Sequence, residues 1–333
     1  MSIKNRFCKF VLTVLLVLFV LTGCGETTSL TEGQVTVQAT ESFKGETIDE
    51  TEVESETIPE TELEIDVEPF PSHLEIHFID VGQGDATLLL CDGQTMLIDA
   101  GENDQGTVVQ LYLQKRGVEG LDYVIGTHPD SDHIGGLDVI ITKFDCETVM
   151  MPDYEKTTAT YRDVIAAADY KSYKIVAPAV GEVYSLGGAM FTIIAPNDAY
   201  DDSNNSSIGI LLTHGENTFL FTGDAEQEAE TDILVNGIDI DADVLHVGHH
   251  GSRTASTAEF IEAVTPEYAV ISCGEGNSYG HPHAGPLNTL RACGAKLYRT
   301  DEQGSVVVES DGETLVWNCA PTENWQVGES SGN

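Results

Sequence analysis

Hydrophobic and polar positions divide the chain into three stretches before any chemistry is considered. From Phe10 to Leu21 it is apolar almost throughout. From residue 25 to about 70, apolar residues are isolated and no period of 3.6 or 2 persists. From Leu74 onward the pattern becomes regular. Apolar runs predict strands at Leu74–Asp80, Thr87–Cys91, Met96–Asp99, Asp122–Thr127, Thr148–Met151, Lys174–Ala177, Met190–Ile194, Ile208–Thr213, Thr218–Thr222, Asp243–Val247, Tyr268–Ser272 and Lys296–Arg299, with two more closing the chain. Helical spacing predicts helices over Gly106–Arg116, Tyr161–Ala168, Ala225–Asn236, Ala258–Val264 and Pro286–Ala292. Asp92-Gly93 marks a tight hairpin turn. Strand hairpins interleaved with helices, in two similar halves, predict an α/β sandwich, and about 250 residues fit one domain.

Charge changes this picture most. The 333 residues carry 15 Lys plus Arg and 56 Asp plus Glu, a net charge of −41. Such a chain repels nucleic acid unless cations intervene, which argues against an extended DNA-binding surface. The excess is not confined to the irregular stretch. Residues 25–70 carry 14 acids against Lys44, whereas residues 71–320 carry 40 acids against 11 bases, a net −29. With 41% hydrophobic residues the regular part can bury a core. Thirty-two glycines and 7% aromatics argue against a helical bundle, and seven scattered cysteines against a disulfide scaffold.

The chain starts with Lys4, Arg6 and Lys9 ahead of the apolar run. The run is shorter than the roughly 20 residues a bilayer requires, so it reads as a signal peptide over residues 1–24. It ends in Leu21-Thr22-Gly23-Cys24, which resembles the bacterial lipobox. Lipidation of Cys24 is therefore expected, anchoring the chain on the extracellular face of the cell membrane. Residues 25–71 then form an acidic, disordered stalk, extended by like charge. Residues 72–320 form the folded domain and residues 321–333 a flexible tail. Cys91, Cys146, Cys273, Cys293 and Cys319 allow at most two disulfides, none assignable from sequence.

Three segments carry candidate chemistry. In Thr127-His128-Pro129-Asp130-Ser131-Asp132-His133, four metal-ligand side chains follow directly on an apolar strand. Asp and His together suit zinc or manganese. Phe221-Thr222-Gly223-Asp224 is a second apolar strand ending in a carboxylate; Asp224 is placed either to cap the following helix or to bridge two ions. Val247-Gly248-His249-His250-Gly251-Ser252 is the third. On an extended chain adjacent side chains point to opposite sides, so one of the two histidines is expected at a metal and the other beside it. Tyr279-Gly280-His281-Pro282-His283 and Asn204-Asn205-Ser206-Ser207 are weaker signals, each readable as an ordinary turn.

Together with Phe78-Ile79-Asp80-Val81-Gly82-Gln83-Gly84-Asp85-Ala86, these motifs resemble, in order, the metallo-β-lactamase fold. More narrowly, they resemble the extracellular hydrolase domain of ComEC-type competence proteins, here as a freestanding lipoprotein. The resemblance spans roughly residues 74–318 and implies a four-layer αββα sandwich with a metal site at one edge of the sheets. It implies two divalent ions, zinc or manganese. His128, Asp130 and Asp224 would hold one ion; Asp132, His133, Asp224 and His249 would hold the other. It further implies Asp132 and Asp224 as orienters of a metal-activated water. His250 and His283 would be catalytic, and Asn205, Ser206, Ser252 and His281 substrate-binding. Asp130 replaces the second histidine of the superfamily's common His-x-His-x-Asp-His loop, and the third-motif histidine is absent. Both departures harden the first site and bring manganese into play.

By this resemblance the expected activity is phosphodiester cleavage, a phosphodiesterase or nuclease with DNA as leading substrate and a DNA-uptake channel as possible partner. The alternatives are hydrolysis of a small or cell-surface phosphoester, or a non-enzymatic metal-binding or channel-accessory lipoprotein. β-Lactam hydrolysis ranks last, because the ligands are unlike zinc-rich lactamase sites. Arg253 is the base best placed to meet a phosphate.

Overall fold

The computed structural model describes residues 72–329. The signal-peptide reading, the lipobox at Cys24 and the acidic stalk lie outside the described residues.

The chain opens with an antiparallel meander, β1 (Leu74–Phe78), β2 (Thr87–Cys91) and β3 (Gln94–Ile98). Asp92 and Gly93 both take positive φ in the hairpin turn, as a tight turn of matching twist requires. Helix α1 (Gly106–Lys115) crosses to β4 (Gly120–Ile125), which runs parallel to β3. The short α2 (Ser131–Ile134) and α3 (Leu137–Lys143) lead to β5 (Asp145–Met150), and α4 (Ala159–Lys171) leads to β6 (Ile175–Val176).

The second half repeats the plan. Antiparallel β7 (Val183–Leu186), β8 (Ala189–Ala195), β9 (Gly209–His214) and β10 (Asn217–Phe221) come first. Parallel β11 (Val244–His246), β12 (Tyr268–Ile271) and β13 (Lys296–Arg299) follow, alternating with α5 (Gln227–Val235), α6 (Ala258–Val264) and α7 (Ala284–Cys293). After α8 (Thr300–Gln303), β14 (Val306–Ser310) and β15 (Leu315–Trp317) return to pair beside β1. The result is an eight-stranded sheet, β15-β14-β1-β2-β3-β4-β5-β6, and a seven-stranded sheet, β13-β12-β11-β10-β9-β8-β7.

The layers follow from residue alternation. Odd positions of β10, Phe219 and Phe221, join Phe78, Met96 and Phe191 between the sheets, while Leu220 turns outward to Ile233 and Phe260 under α5 and α6. In β3, Met96 and Ile98 face the partner sheet and Leu97 packs with Val109, Leu113 and Ile140 of α1 and α3. Strands buried on both faces read as near-continuous apolar runs, which is why they stood out in the sequence. The fold is the expected α/β sandwich, two mixed sheets flanked by helices.

One difference emerges. Residues 321–329, expected to trail as a tail, run along the domain. Thr322 N–H donates to the Leu297 carbonyl at 2.7 Å, Arg299 Nη1 to the Gln326 carbonyl at 2.7 Å, and Gly328 N–H to the Pro282 carbonyl at 2.9 Å. Such bonds leave no apolar period to read in the sequence. The five described cysteines are all unpaired.

Candidate metal centre

Parallel strands from both sheets deliver their carboxyl ends to one edge, the place where α/β sheets build sites. Asp99 follows β3, His128 follows β4, Asp224 follows β10, His249 and His250 follow β11, and Ser272 follows β12. Glycines let these loops meet. Gly84 has φ +129°, and a Cβ there would stand 2.3 Å from the Asp132 carbonyl oxygen. Only a glycine permits the Asp85 N–H to reach that carbonyl at 3.1 Å.

Asp224 is the centre. It is 3% exposed, and four imidazoles surround it. Its Oδ1 lies 3.2 Å from His133 Nε2 and 3.7 Å from His250 Nε2. Its Oδ2 lies 3.5 Å from His249 Nε2 and 3.8 Å from His128 Nε2. Two outer carboxylates complete the arrangement. Asp132 Oδ2 is 3.3 Å from His250 Nε2, and Asp130 Oδ1 is 3.9 Å from His128 Nε2. One lobe thus gathers Asp132, His133 and His250, the other Asp130, His128 and His249, with Asp224 shared.

The far side of each ring explains why every Nε2 faces inward. His133 Nδ1 donates to Asp99 Oδ2 at 2.8 Å, and His250 Nδ1 donates to the Ser272 carbonyl at 3.0 Å. His249 Nδ1 meets Glu226 Oε1 at 3.2 Å, and His128 Nδ1 meets Thr127 Oγ1 at 3.2 Å. Carboxylates and carbonyls only accept, so they fix the proton on Nδ1 and leave the Nε2 lone pair to the cleft. Asp99 also accepts from Thr127 N at 2.8 Å and Thr127 Oγ1 at 2.7 Å, locking the strand end it supports.

This donor set fits a divalent cation. His128 Nε2 and Asp224 Oδ1 are buried without a hydrogen-bond partner, a costly state unless something else satisfies them. His133 Nε2 and His250 Nε2 stand 3.3 Å apart. Two nitrogens bound at 2.0–2.1 Å to one tetrahedral ion stand about 3.3 Å apart. The electrostatics agree. Burial alone would depress the pKa values of His133 and His250, yet the carboxylates of Asp224, with Asp99 at His133 and Asp85 at His250, hold both well above the imidazole range. Burial would likewise raise Asp224, yet His133 and His250 hold it well below the carboxylate range. The cluster therefore attracts positive charge at its centre. His128, by contrast, is pushed down to about 4 by burial and by His133.

The histidine pair departs from expectation. His249, expected with Asp132 and His133, lies instead beside the Asp224 oxygen that faces His128. His250, expected at substrate, takes the place among Asp132, His133 and Asp224. The reason is backbone. His249, His250 and Gly251 take φ of 51°, 53° and 77°, a left-handed turn rather than an extended chain, so both rings enter the cleft.

Other expected residues are engaged elsewhere. Asn205 Oδ1 accepts from Glu226 N and Ala229 N at 3.0 and 3.2 Å, and its Nδ2 donates to Asp202. It caps the start of α5 rather than facing substrate. Ser206 Oγ donates to the Ser203 carbonyl at 2.6 Å inside its own turn. Ser252 Oγ pairs with Thr254 Oγ1 at 3.0 Å. His281 is buried, its ring 5.6 Å from that of His249, and His283 stands one ring further out, 4.8 Å from His281.

The structure adds residues the motifs did not single out. Buried Asp85 lies 3.2 Å from His250 Nδ1, and Asp85, His133, Asp224 and His250 bring ligand-type atoms within 4.8 Å of one another. Because Asp85 approaches the back of the His250 ring, it acts as an orienter. Its signal was present in Gly84-Asp85. Asp99 could have been found as the polar end of an apolar strand. Lys156, whose ammonium pairs with Asp130, carries no local signal at all.

The profile of the metallo-beta-lactamase superfamily matches residues 79–275. Among curated proteins, ComE operon protein 3 of Bacillus subtilis is 31% identical over 252 residues, covering 70% of this chain and 32% of that protein. Recombination protein 2 of Haemophilus influenzae is 31% identical over 240 residues, covering 70% and 28%. Competence protein ComA of Neisseria gonorrhoeae is 30% identical over 230 residues, covering 68% and 31%. The match thus takes in about a third of each of these relatives.

Proposed function

Because the chain belongs to the metallo-beta-lactamase superfamily, as a metal-dependent hydrolase related to the competence proteins, we propose that it hydrolyses small phosphoesters at a two-lobed divalent-metal site. The observation that carries this reading is the convergence of four imidazole Nε2 atoms on Asp224, each ring backed at Nδ1. One lobe would hold an ion through Asp132, His133, His250 and Asp224, the other through Asp130, His128, His249 and Asp224. Each lobe offers two imidazoles and two carboxylates, a set that suits zinc and also admits manganese. When bound, such ions lower the pKa of water and neutralise phosphoryl oxygens.

The chain's own residues do the rest. Asp99, Glu226 and the Ser272 carbonyl hold the imidazoles in register. Asp132 faces the cleft as an acceptor able to orient a nucleophile. Asp85 behind His250 steadies it as charge builds on the substrate side.

Charge favours a small substrate over a polymer. Lys156 is already paired with Asp130, and Arg253, held beside His283, offers one cation, enough for a single phosphate but not for a strand. A polyanion would meet a domain of net −29 with no basic track through the motifs. The names of the competence relatives favour a second reading, cleavage of DNA strands. The lipobox at Cys24 supports a place for this activity on the outer face of the cell membrane.

The test strips the full chain with a chelator, restores zinc or manganese, and offers a chromogenic phosphodiester, a nucleoside diphosphate, single-stranded DNA and plasmid. Turnover of the small esters only with metal, abolished in Asp224→Asn, is expected. Faster cleavage of DNA per scissile bond would overturn the small-substrate reading. No turnover with both ions loaded would leave a metal-binding protein. A Cys24→Ser chain that still partitions with membranes would refute the lipid anchor.

A further inference from the structure

Beside the metal centre lies a cavity of about 490 Å3, within the size range of small-ligand pockets. Arg253, Tyr279, His283, Ala284 and Gly285 line it, with Gly328 of the docked C-terminal segment. Among the described residues no carboxylate lines it, although residues 71–320 carry 40 acids. The His283 N–H donates to the Gly251 carbonyl at 2.9 Å, tying the cavity to the turn that bears His249 and His250.

Arg253 forms no ion pair with a carboxylate among the described residues. Its backbone N–H donates to His283 Nδ1 at 3.1 Å, and its Nη2 lies 2.9 Å from His283 Nε2. A neutral imidazole has one acceptor nitrogen and an imidazolium none. The ring can therefore accept from the Arg253 backbone or from its guanidinium but not from both, and in neither tautomer does it supply a counter-charge. Arg253 is thus a cation at the rim of the catalytic cleft whose side chain rests against an imidazole rather than a carboxylate, which leaves its charge to meet a phosphate. The start of α7 adds backbone N–H groups at Ala284 and Gly285, and His283 gives that helix no side-chain cap. Tyr279, 61% exposed, stacks one face on His281 at 5.5 Å and leaves the other to the opening. His281 in turn abuts His249, so a single ring stands between Tyr279 and the metal centre.

We propose that this cavity is a second anion subsite: it takes a non-scissile phosphate of the substrate on Arg253, and the substrates are small phosphoesters that carry a second phosphate next to the ester being cleaved. This rests on the phosphoester reading above. Tyr279 then offers a surface for an aromatic ring on the same substrate.

Two measurements test the subsite separately from the hydrolase reading. In the metal-free full chain, inorganic pyrophosphate is titrated by calorimetry. Saturable binding is expected, weakened about 10–100-fold in Arg253→Met, the usual loss for a charge-assisted pair, and partly restored in Arg253→Lys. In the metal-loaded chain, KM is compared for a dinucleotide bearing a 5′-phosphate and the same dinucleotide without it. Arg253→Met is expected to raise the first KM at least tenfold more than the second. Pyrophosphate binding lost with Arg253 but no turnover on any ester would sustain the subsite and sink the hydrolase. Turnover with no pyrophosphate binding and equal KM shifts would overturn the subsite and leave the hydrolase standing.

Discussion

Replacing Asp99 by Asn tests how the site is held. Asp99 is fully buried and accepts three hydrogen bonds, from Thr127 N, Thr127 Oγ1 and His133 Nδ1, all between 2.7 and 2.8 Å. Asparagine is nearly isosteric but has one acceptor oxygen and one NH2 donor. Its oxygen can keep the Thr127 N bond at the Oδ1 position only by placing the NH2 where Oδ2 stood, against Thr127 Oγ1 and His133 Nδ1. The imidazole then gives up its Nδ1 proton to accept that bond and carries its proton on Nε2, where the lone pair is needed for a cation. One charge-assisted bond is lost, costing about 1.5–3 kcal/mol. At 1.4 kcal/mol per tenfold, that weakens divalent-ion affinity roughly 10–100-fold, the usual scale for an orienting partner behind a ligand. Calorimetric titration of the metal-free chain measures the affinity, and 15N–1H correlation spectra of the imidazoles read the tautomer. An Asp99→Asn chain that keeps wild-type affinity with His133 still protonated on Nδ1 would refute the reasoning.

Three other perturbations follow from the same structure. Burial, with Arg116 nearby, pushes His77 down to about 4, while the unfolded residue titrates near 6.5. Between those values the unfolded chain binds the extra proton, so this stabilisation is complete above pH 6.5 and lost as pH falls toward 4. About 2 kcal/mol should vanish between pH 7.5 and 5. Urea unfolding of His77→Gln should lose that much less over this range; an identical acid loss would disprove it. Gly84→Ala combines an unfavourable φ with a Cβ 2.3 Å from the Asp132 carbonyl, so it should cost about 2–4 kcal/mol and weaken metal binding by displacing Asp132. A thermal midpoint equal to wild type would refute that. Lys156→Met frees Asp130 from its ammonium partner. For this part-exposed pair the gain is modest, about 2–5-fold tighter binding of one ion, read from the weaker step of a two-site titration; weaker binding would show that Lys156 supports the lobe instead.

The layers were legible because strands such as β3, β4 and β10 are buried on both faces and announce themselves as apolar runs. The first metal loop and Asp224 were legible because ligand side chains sit at such strand ends. What escaped has a physical cause in each case. The left-handed turn at His249 and His250 is invisible to patterning, which assumes an extended chain after a strand. Asn205 looked available because its polar side chain sits before a strand, whereas its oxygen closes the first turn of α5. Lys156 meets Asp130 across 26 residues, a separation no local motif encodes. Asp85 acts from behind the ring of His250, so its role emerges only when the two halves of the sandwich meet, and Asp99 acts from behind His133, across two neighbouring strand ends.

The proposed division of four histidines into two cation lobes by Asp224 is measured most directly by metal stoichiometry. The metal-free full chain is dialysed to equilibrium against zinc or manganese, and bound metal is counted by plasma mass spectrometry. The wild type should hold two ions, His250→Ala and His249→Ala one each, from different lobes, and Asp224→Ala neither tightly. A His249→Ala chain that keeps two ions, or a wild type that holds only one which His249→Ala leaves in place, would contradict it.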